Sequence, residues 1–239
     1  MAKLFQELQQ NFIFVLVSAA IAIGLALVAK LSERFLPGVR KVSSARRITI
    51  IAVCSALAAI LHILDFPLPF LAPEFYKLDF SELPVMLCGF YMGPSAAVSC
   101  EAVKILLKLL MKGTSTAFVG DFANFVIGCS LVLPASIVYH IKKSRGSAIW
   151  GLLTGTVILT IFGSAFNGIY LLPKFSQLFG LPLENIIAMG ASINSSIYSV
   201  SSFVLFAVAP LNLIKGLVIS VLTMLLYKRI ARPLFGIKS

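Results

Sequence analysis

The chain alternates long apolar stretches with short charged connections. Six stretches contain no Asp, Glu, Lys or Arg, and they cover residues 11–29, 48–64, 83–100, 122–141, 146–173 and 185–214. A helix needs about 20 apolar residues to cross the hydrocarbon core of a bilayer. The pattern therefore predicts a bundle of membrane-spanning helices.

Two places need interpretation before the spans can be assigned. Gly93 and Pro94 divide an otherwise continuous run, because proline is tolerated at the start of a helix and disruptive in its interior. Residues 185–206 are apolar but rich in small polar side chains, so we interpret them as an external or re-entrant segment packed on the bundle. The predicted spans are then 11–30, 47–64, 80–92, 94–111, 119–141, 147–172 and about 207–228.

Composition and charge agree with an integral membrane protein. Hydrophobic residues make up 59% of the chain and charged residues 12%, whereas a soluble domain has roughly 25% charged residues. The net charge is +11, but 13 of the 20 basic residues lie in segments 30–47, 142–145 and 228–238. This clustering is the positive-inside pattern, which predicts a cytoplasmic C-terminus and argues against nucleic acid as a partner.

The first apolar stretch differs from a signal peptide. Its basic residues, including Arg40, Lys41, Arg46 and Arg47, follow the apolar run instead of preceding it. A signal peptide has the opposite order. We therefore expect an uncleaved transmembrane helix at 11–30.

Polar residues inside the apolar spans are the candidates for a ligand site. Asn124, Asn167, Asn212 and Lys215 all fall in the outer halves of their predicted spans. A charged group in hydrocarbon costs at least ~2.5 to 3.5 kcal/mol, so Lys215 needs a partner. Amides and an amine together can bind the polar edge of a planar ligand. The alternative is that each residue only joins helices by hydrogen bonds.

The first external connection, residues 65–84, is "DFPLPFLAPEFYKLDFSELP". Its prolines disfavour a helix, and its aromatic residues favour a segment that folds back onto the bundle. We expect it to cover the outer ends of the spans that carry the polar candidates.

Two further patterns fall on helix faces. Glu101 and Lys104 stand at i, i+3, so we expect them to form an ion pair inside the membrane. Ala52, Ala56 and Ala59 recur at i, i+4 and i+7. A stripe of small side chains lets another helix approach closely, and that helix could belong to a partner or to the same bundle.

The sequence offers little for an enzyme or a metal site. It has no GxxxxGK[ST], HExxH or GxSxG motif. Its four cysteines, at positions 54, 88, 100 and 129, lie in apolar stretches without CxxC spacing. They are typical of small buried side chains, so we expect no metal and no disulfide framework.

Five segments together resemble the riboflavin-specific substrate-binding (S) components of the energy-coupling factor (ECF) vitamin transporters. They are "FPLPFLAPEFYKLDFSELP", "GFYMGPSAAV", "TSTAFVGDFANFVIG", "FNGIYLLP" and "PLNLIKGLVISVLTMLLYKRI", and they appear in the family's order. The resemblance implies an all-α integral membrane protein with a six-helix S-component bundle at residues 46–239. Residues 1–45, an extra N-terminal transmembrane helix and a basic cytoplasmic linker, are absent from that family pattern.

The resemblance also implies a function. The protein would capture riboflavin with high affinity from the extracellular side and deliver it through a transmembrane coupling subunit and two cytoplasmic ATPases. No resident cofactor is expected, and FMN and FAD stay open as transported ligands. ATP hydrolysis would occur in the partners, so the chain itself is not expected to be an enzyme.

The family pattern assigns roles to particular residues. Asn167 and Lys215 would contact the flavin, and Asn124 and the loop residues around Asp79 would assist them. Asn212 joins this set because of its depth in the span and not because of the family pattern. Phe75, Leu78 and Phe80 would cover the ring face. The coupling subunit would dock on the alanine stripe at positions 52, 56 and 59.

Three alternatives stay open. The chain could be an S component for another vitamin, since the fold tolerates different pockets. It could be a stand-alone secondary transporter, in which Glu101 and Lys104 would couple ions. It could also be a membrane-embedded assembly or anchoring protein without a small ligand.

Overall fold

The computed structural model describes residues 12–39 and 42–235, and most of these residues are helical. The predicted extra helix and basic linker therefore fall partly outside the described residues, as do residues 236–239. The helices are α1 (Phe12–Glu33), α2 (Ser44–Ile63), α3 (Glu82–Met92), α4 (Pro94–Lys112), α5 (Val119–Lys142), α6 (Arg145–Phe166), α7 (Leu172–Phe179), α8 (Leu183–Ala191), α9 (Val200–Phe203) and α10 (Ala209–Phe235).

Two π turns interrupt the helical chain in its second half. The first π turn (Asn167–Leu171) joins α6 to α7, and the second π turn (Val204–Val208) joins α9 to α10. Each π turn continues the helix on either side of it. Helix α6, the first π turn and α7 therefore form one long rod, and α9, the second π turn and α10 form another.

Five helical stretches within the described residues are long and apolar enough to cross a membrane. They are Leu16–Glu33, Ser44–Ile63, Val119–Lys142, Arg145–Phe179 and Val200–Tyr227. Helix α3 is shorter but apolar, and α4 carries Glu101, Lys104, Lys108 and Lys112. The all-α membrane fold expected from the sequence is thus confirmed.

The last helix begins earlier than predicted. It starts at Val200 instead of near residue 207, so residues 200–206 belong to this helix and not to the expected external or re-entrant segment. Ser199 is the N-cap: its Oγ accepts from the Ser202 N–H at 3.2 Å, and the Ser202 Oγ accepts from the Ser199 N–H at 2.8 Å. This reciprocal capping box starts a helix. The small polar residues that suggested a non-spanning segment therefore include a helix cap.

The sixth predicted span is also longer than expected. The predicted range 147–172 continues through the first π turn to Phe179. Pro173 lies in the first turn of α7, directly after the π turn, where the register of the helical hydrogen bonds changes. Proline at this position therefore does not end the rod.

One end of the bundle holds the turn at Gly93 and the end of α1. Gly93 has φ +117° and lies between α3 and α4, as its pairing with Pro94 predicts. The Glu33 carboxylate accepts hydrogen bonds from the Ser95 N–H at 2.9 Å and the Ser95 hydroxyl at 2.6 Å. A Cβ on Gly93 would lie 2.6 Å from Glu33 Oε1. Glycine is therefore required at position 93 for two reasons. The backbone has a positive φ, and a side chain would collide with the Glu33 carboxylate that joins α1 to α4.

The lid, which we define as residues 65–81, closes the opposite end. Its strands β1 (Phe66–Pro67) and β2 (Lys77–Leu78) form a two-residue antiparallel ladder. The lid has its own apolar core, in which Tyr76 and Leu78 pack with Phe203 and Val208. The main core of the bundle is separate and includes Phe90, Met92, Leu131, Leu159 and Ile219. The lid is therefore held by packing as well as by its ladder.

The four cysteines are buried and free. They contribute to the apolar clusters of the bundle. The expectation that they act as small buried side chains is confirmed.

Candidate ligand-binding site

A cavity of about 390 Å³ lies between the lid and the helix ends beneath it. This size is within the usual range for sites that bind small molecules, roughly 300 to 1,000 Å³. The lid contributes Phe75, Tyr76, Leu78 and Asp79 to the lining. The helices contribute the predicted polar candidates Asn124, Asn167, Asn212 and Lys215. The structure therefore brings all four of these predicted helix residues to one cavity.

Each of the three asparagines already makes a hydrogen bond to the protein. The Asn124 Nδ2 donates to the Gly120 carbonyl at 3.0 Å, and the Asn212 Nδ2 donates to the Ser164 hydroxyl at 3.3 Å. The Asn167 Nδ2 donates to the Gly163 carbonyl at 2.8 Å. An amide has two donors and two lone pairs, so each keeps polar capacity for a ligand.

The two π turns meet beside the cavity. Asn167 and Leu171 from the first turn and Val208 from the second line it. A Cβ on Gly168 would lie 2.8 Å from Val204 Cγ2, so the glycine allows the turns to approach. π turns within helices occur frequently at functional sites. Here they place Asn167 and Val208 on the cavity wall.

Lys215 has protein partners in this structure. Its Nζ lies 3.1 Å from Asp79 Oδ2, and 3.0 and 2.9 Å from the two oxygens of Glu82. The side chain is 11% exposed and also lines the cavity. Lys215 therefore joins α10 to the lid and to α3 while it faces the space that a ligand would occupy.

The ion pairs continue from Lys215 into the bundle. The Lys104 Nζ lies 3.4 Å from Glu82 Oε1 and contacts Glu101, and it donates to the Ser81 hydroxyl at 3.0 Å. The predicted pair of Glu101 and Lys104 is therefore confirmed, with Glu82 as a shared partner. Isolated buried charges are costly, whereas a hydrogen-bonded network offsets much of that cost. The network connects the floor of the cavity with the centre of the bundle.

Asp79 is the residue through which the lid enters this network. The His62 Nδ1 lies 3.5 Å from Asp79 Oδ2, and the Ser81 N–H donates to Asp79 Oδ1 at 2.8 Å. Burial opposes ionisation of Asp79, but the charge of Lys215 and the nearby His62 ring hold the pKa of its carboxyl well below its ordinary value. Asp79 is thus an ionised anchor of the lid, and sequence reasoning missed His62 as its neighbour.

A second group of charges surrounds the mouth of the cavity. The Asp65 Oδ1 forms ion pairs with the Nζ of Lys77 at 3.3 Å and the Nζ of Lys112 at 3.4 Å. Lys108 pairs with Asp121 and donates to the Gly113 carbonyl at 3.0 Å. The mouth is therefore positively charged but largely paired.

Phe80 takes a different position from the one predicted. It packs against Phe66, with ring centroids 5.7 Å apart, and against the apolar clusters, while Phe75 and Leu78 line the cavity. The chain turns at Asp79, whose carboxylate accepts from the Ser81 N–H, and this turn directs Phe80 into the core. We therefore expect Phe80 to support the lid from behind.

Tyr76 is a site residue that sequence reasoning missed. It lines the cavity, and its hydroxyl donates to Asn167 Oδ1 at 3.1 Å. The lid contains several aromatic residues, and only the pairing of β1 with β2 decides which of them faces inward. The period of two along "YKL", which puts residues 76 and 78 on one face, is the signal that could have identified it.

The alanine stripe on α2 is only partly accessible. Ala52 and Ala56 are exposed, but Ala59 is fully buried. Ala59 lies in the part of α2 nearest the lid, where Ala58 and His62 are also buried. The prediction that all three alanines face a partner is therefore corrected for Ala59, and the stripe that can be approached from outside consists of Ala52 and Ala56.

Comparison with known proteins identifies the family to which the chain belongs. The family model described as "ECF transporter, substrate-specific component" matches residues 46–227. The riboflavin transporter RibU of Staphylococcus aureus is 37% identical over 186 residues, which cover 78% of this chain and 90% of that protein. The riboflavin transporter FmnP of Bacillus subtilis is 30% identical over 184 residues, which cover 76% of this chain and 90% of that protein.

The fold has a solved counterpart. A structure of the S component of a bacterial ECF transporter matches with a TM-score of 0.62 and 35% identity, and it covers 80% of this chain and 98% of that one. The family consists of transport components, so the prediction that the chain is not an enzyme is confirmed. With its apolar helices, the chain is a multi-pass membrane protein, and it belongs to the family of substrate-specific components of ECF transporters.

Proposed function

We propose that this protein is the riboflavin-binding subunit of an ATP-driven ECF importer. The observation that carries the proposal is the convergence of Asn124, Asn167, Asn212 and Lys215 on one cavity beneath an aromatic lid. The relatives RibU and FmnP, which are named as riboflavin transporters, support the same ligand.

The cavity suits the chemistry of a flavin. An isoalloxazine ring has broad apolar faces and one edge on which carbonyl and N–H groups alternate. Phe75, Leu78, Leu171 and Val208 supply apolar lining for the faces. Asparagine amides supply neighbouring donors and acceptors for the edge. The arrangement thus meets both requirements of the ring.

Lys215 would donate hydrogen bonds to the ligand and to the protein at the same time. An ammonium group has three donors, and the present contacts direct it to Asp79 and Glu82. A flavin carbonyl or ring nitrogen at the cavity floor would accept one of these protons while the remaining carboxylate contacts hold the amine in place. The ligand would thereby join the network that fixes the lid.

Delivery to the cell interior would require partners. Ala52 and Ala56 expose small side chains on α2, and small side chains permit close approach of a helix in lipid. We assign this surface to the transmembrane coupling subunit, with two cytoplasmic ATPases supplying the energy. The lid end would face the outside and the basic end, including the C-terminus, the cytoplasm.

Purification in detergent followed by an absorbance spectrum and mass analysis of the released ligand tests the proposal. We expect a yellow protein that releases riboflavin. Lys215→Met and Asn167→Leu should each weaken riboflavin binding at least tenfold, about 1.4 kcal/mol. The exposed residues Lys142 and Asn185 provide matched controls, since Lys142→Met and Asn185→Leu should bind normally.

The mass analysis and a measurement of uptake separate the alternatives. A different vitamin in the mass analysis would identify an S component of other specificity. Uptake that follows an ion gradient and needs no ATPase partner would favour the stand-alone transporter. A protein without bound flavin and without flavin affinity would overturn the proposal.

A further inference from the structure

Tyr76 connects the lid to the helix wall of the cavity. Its ring packs between Phe75 and Phe203, with centroid distances of 4.7 and 6.0 Å. Its hydroxyl lies 3.1 Å from Asn167 Oδ1, and both side chains are buried. The contact therefore joins two cavity-lining residues that are 91 positions apart in the chain.

The hydrogen-bond partners fix the direction of the Asn167 amide. The Gly163 carbonyl can only accept, so the group 2.8 Å from it must be the amide nitrogen. The amide oxygen then faces Tyr76, and the tyrosine hydroxyl must be the donor. Turning the amide over would place its oxygen against the Gly163 carbonyl and lose that hydrogen bond in a buried site, which is costly.

A fixed amide presents one defined pattern to a ligand. Asn167 keeps one N–H and one lone pair after its two protein contacts. An adjacent donor and acceptor complement a heterocycle edge on which a carbonyl stands beside an N–H. An amide free to turn over would offer the reversed pattern equally well, so its discrimination would be weaker.

We propose that Tyr76 is a positioning residue for ligand recognition. The Gly163 carbonyl sets the direction of the Asn167 amide, and the Tyr76 hydroxyl, as the second partner, holds the amide in the position that binds the imide edge of the ligand. This inference rests on the proposed riboflavin function and deepens it. Tyr76 belongs to the lid, so the amide has both of its hydrogen-bond partners only while the lid is closed. Recognition of the edge and closure of the lid are then coupled, and loss of the hydroxyl speeds release of the ligand.

A double-mutant cycle tests the role of the hydroxyl. Tyr76→Phe keeps the ring contacts with Phe75 and Phe203 and removes only the donor. The dissociation constant and the dissociation rate of riboflavin are measured in detergent for the wild type, Tyr76→Phe, Asn167→Leu and the double variant. We expect Tyr76→Phe to weaken binding about fivefold to tenfold in the wild type, but less than about twofold when Asn167 is already replaced.

Other outcomes separate positioning from packing. Equal losses from Tyr76→Phe in both backgrounds would show that the hydroxyl does not act through Asn167, and this would overturn the inference. Tyr198→Phe is the matched control, because Tyr198 is 82% exposed and its hydroxyl should not affect binding. A wild-type protein that binds no flavin would instead overturn the proposed function.

The visible spectrum of the bound flavin supplies a second readout. Hydrogen bonds at the carbonyl edge shift the absorption bands of the ring, so Tyr76→Phe should move these bands while Tyr198→Phe leaves them in place. An unchanged spectrum together with unchanged affinity for Tyr76→Phe would reject the positioning role, even if binding to the Asn167 variants is too weak for a complete cycle.

Discussion

The Lys215 Nζ of α10 donates to the Asp79 Oδ2 of the lid at 3.1 Å, across 136 positions of the chain. The same amine contacts Glu82 at the start of α3. Lys215 therefore holds the closed lid against the bundle in addition to facing the cavity, and its replacement should affect stability and binding separately.

Lys215→Met should lower both thermal stability and riboflavin affinity. The substitution leaves Asp79 and Glu82 without this cation, and removal of one partner from a buried pair costs about 3 to 5 kcal/mol. Adding Asp79→Asn should restore part of the melting temperature but not the binding. The measurements are thermal unfolding and ligand titration in detergent. A single variant that melts like the wild type would show that these ion pairs contribute little.

The stability should depend on Asp79 in acid. The pKa of this carboxyl is lowered in the folded protein, so ionisation is more favourable in the folded than in the unfolded chain. The resulting stability is complete above the ordinary pKa of 3.8 and is lost as the pH falls through the folded value. We expect the melting temperature to fall below about pH 4.

Asp79→Asn should remove this part of the acid dependence. Glu184 is exposed at the start of α8, so Glu184→Gln is a suitable control and should leave the acid dependence in place. The measurement is the melting temperature as a function of pH. Identical profiles for the wild type and Asp79→Asn would assign the acid dependence to other carboxyls.

Gly128→Ala should destabilise the bundle. A Cβ on Gly128 of α5 would overlap Glu101 Oε1, and Glu101 is held by its contact with Lys104. Gly24→Ala is the matched control, because no neighbouring atom lies within 4 Å of its Cβ position. Alanine is favoured over glycine in a helix by about 1 kcal/mol. Thermal unfolding should therefore show a loss for Gly128→Ala alone, and equal effects would contradict close packing at Glu101.

The coupling surface can be separated from the cavity by adding bulk to α2. Ala52→Trp combined with Ala56→Trp should leave riboflavin binding near normal but abolish co-purification with the coupling subunit and ATP-driven uptake. Val157→Trp with Ile161→Trp changes an exposed pair of the same spacing on α6, where the two side chains are 53% and 68% exposed, and should not interfere. Uptake that persists in the alanine double variant would place the interface elsewhere.

The orientation of the chain can be measured without removing native thiols, because all four cysteines are buried. Phe70 in the lid is 74% exposed, and Lys142 is exposed at the opposite end. A membrane-impermeant maleimide should label Phe70→Cys in intact cells and Lys142→Cys only after permeabilisation. A reporter fused after Ser239 should read cytoplasmic. The reverse labelling pattern would invert the predicted topology.

The spans were largely predictable because the bilayer imposes a simple rule on composition. The range 119–141, for example, corresponds to the observed helix Val119–Lys142. Asn124, Asn167, Asn212 and Lys215 were conspicuous for the same reason, since polar groups are rare in apolar spans. Their presence at one cavity follows from their similar depth.

Other features were not predicted from the sequence because they depend on tertiary contacts. Glu82 stands at a helix boundary, where an acidic residue is ordinarily exposed, and only the approach of α10 turns it into a partner of Lys215. The start of α9 was missed because Ser199 and Ser202 are also common in loops, and their reciprocal hydrogen bonds become visible only in three dimensions. Local composition could not decide either case.

The paired π turns change the rotational setting of two long helices. A helix turns about 100° per residue, so the extra residue in a π turn rotates the helix after the turn relative to the helix before it. Away from the lid, α6 and α10 meet at Thr156 and Ser220, whose hydroxyls lie 3.1 Å apart, while the turns themselves carry Asn167 and Val208 into the cavity wall. Substitutions in the turns can therefore alter ligand preference during evolution while the contact between α6 and α10 is retained.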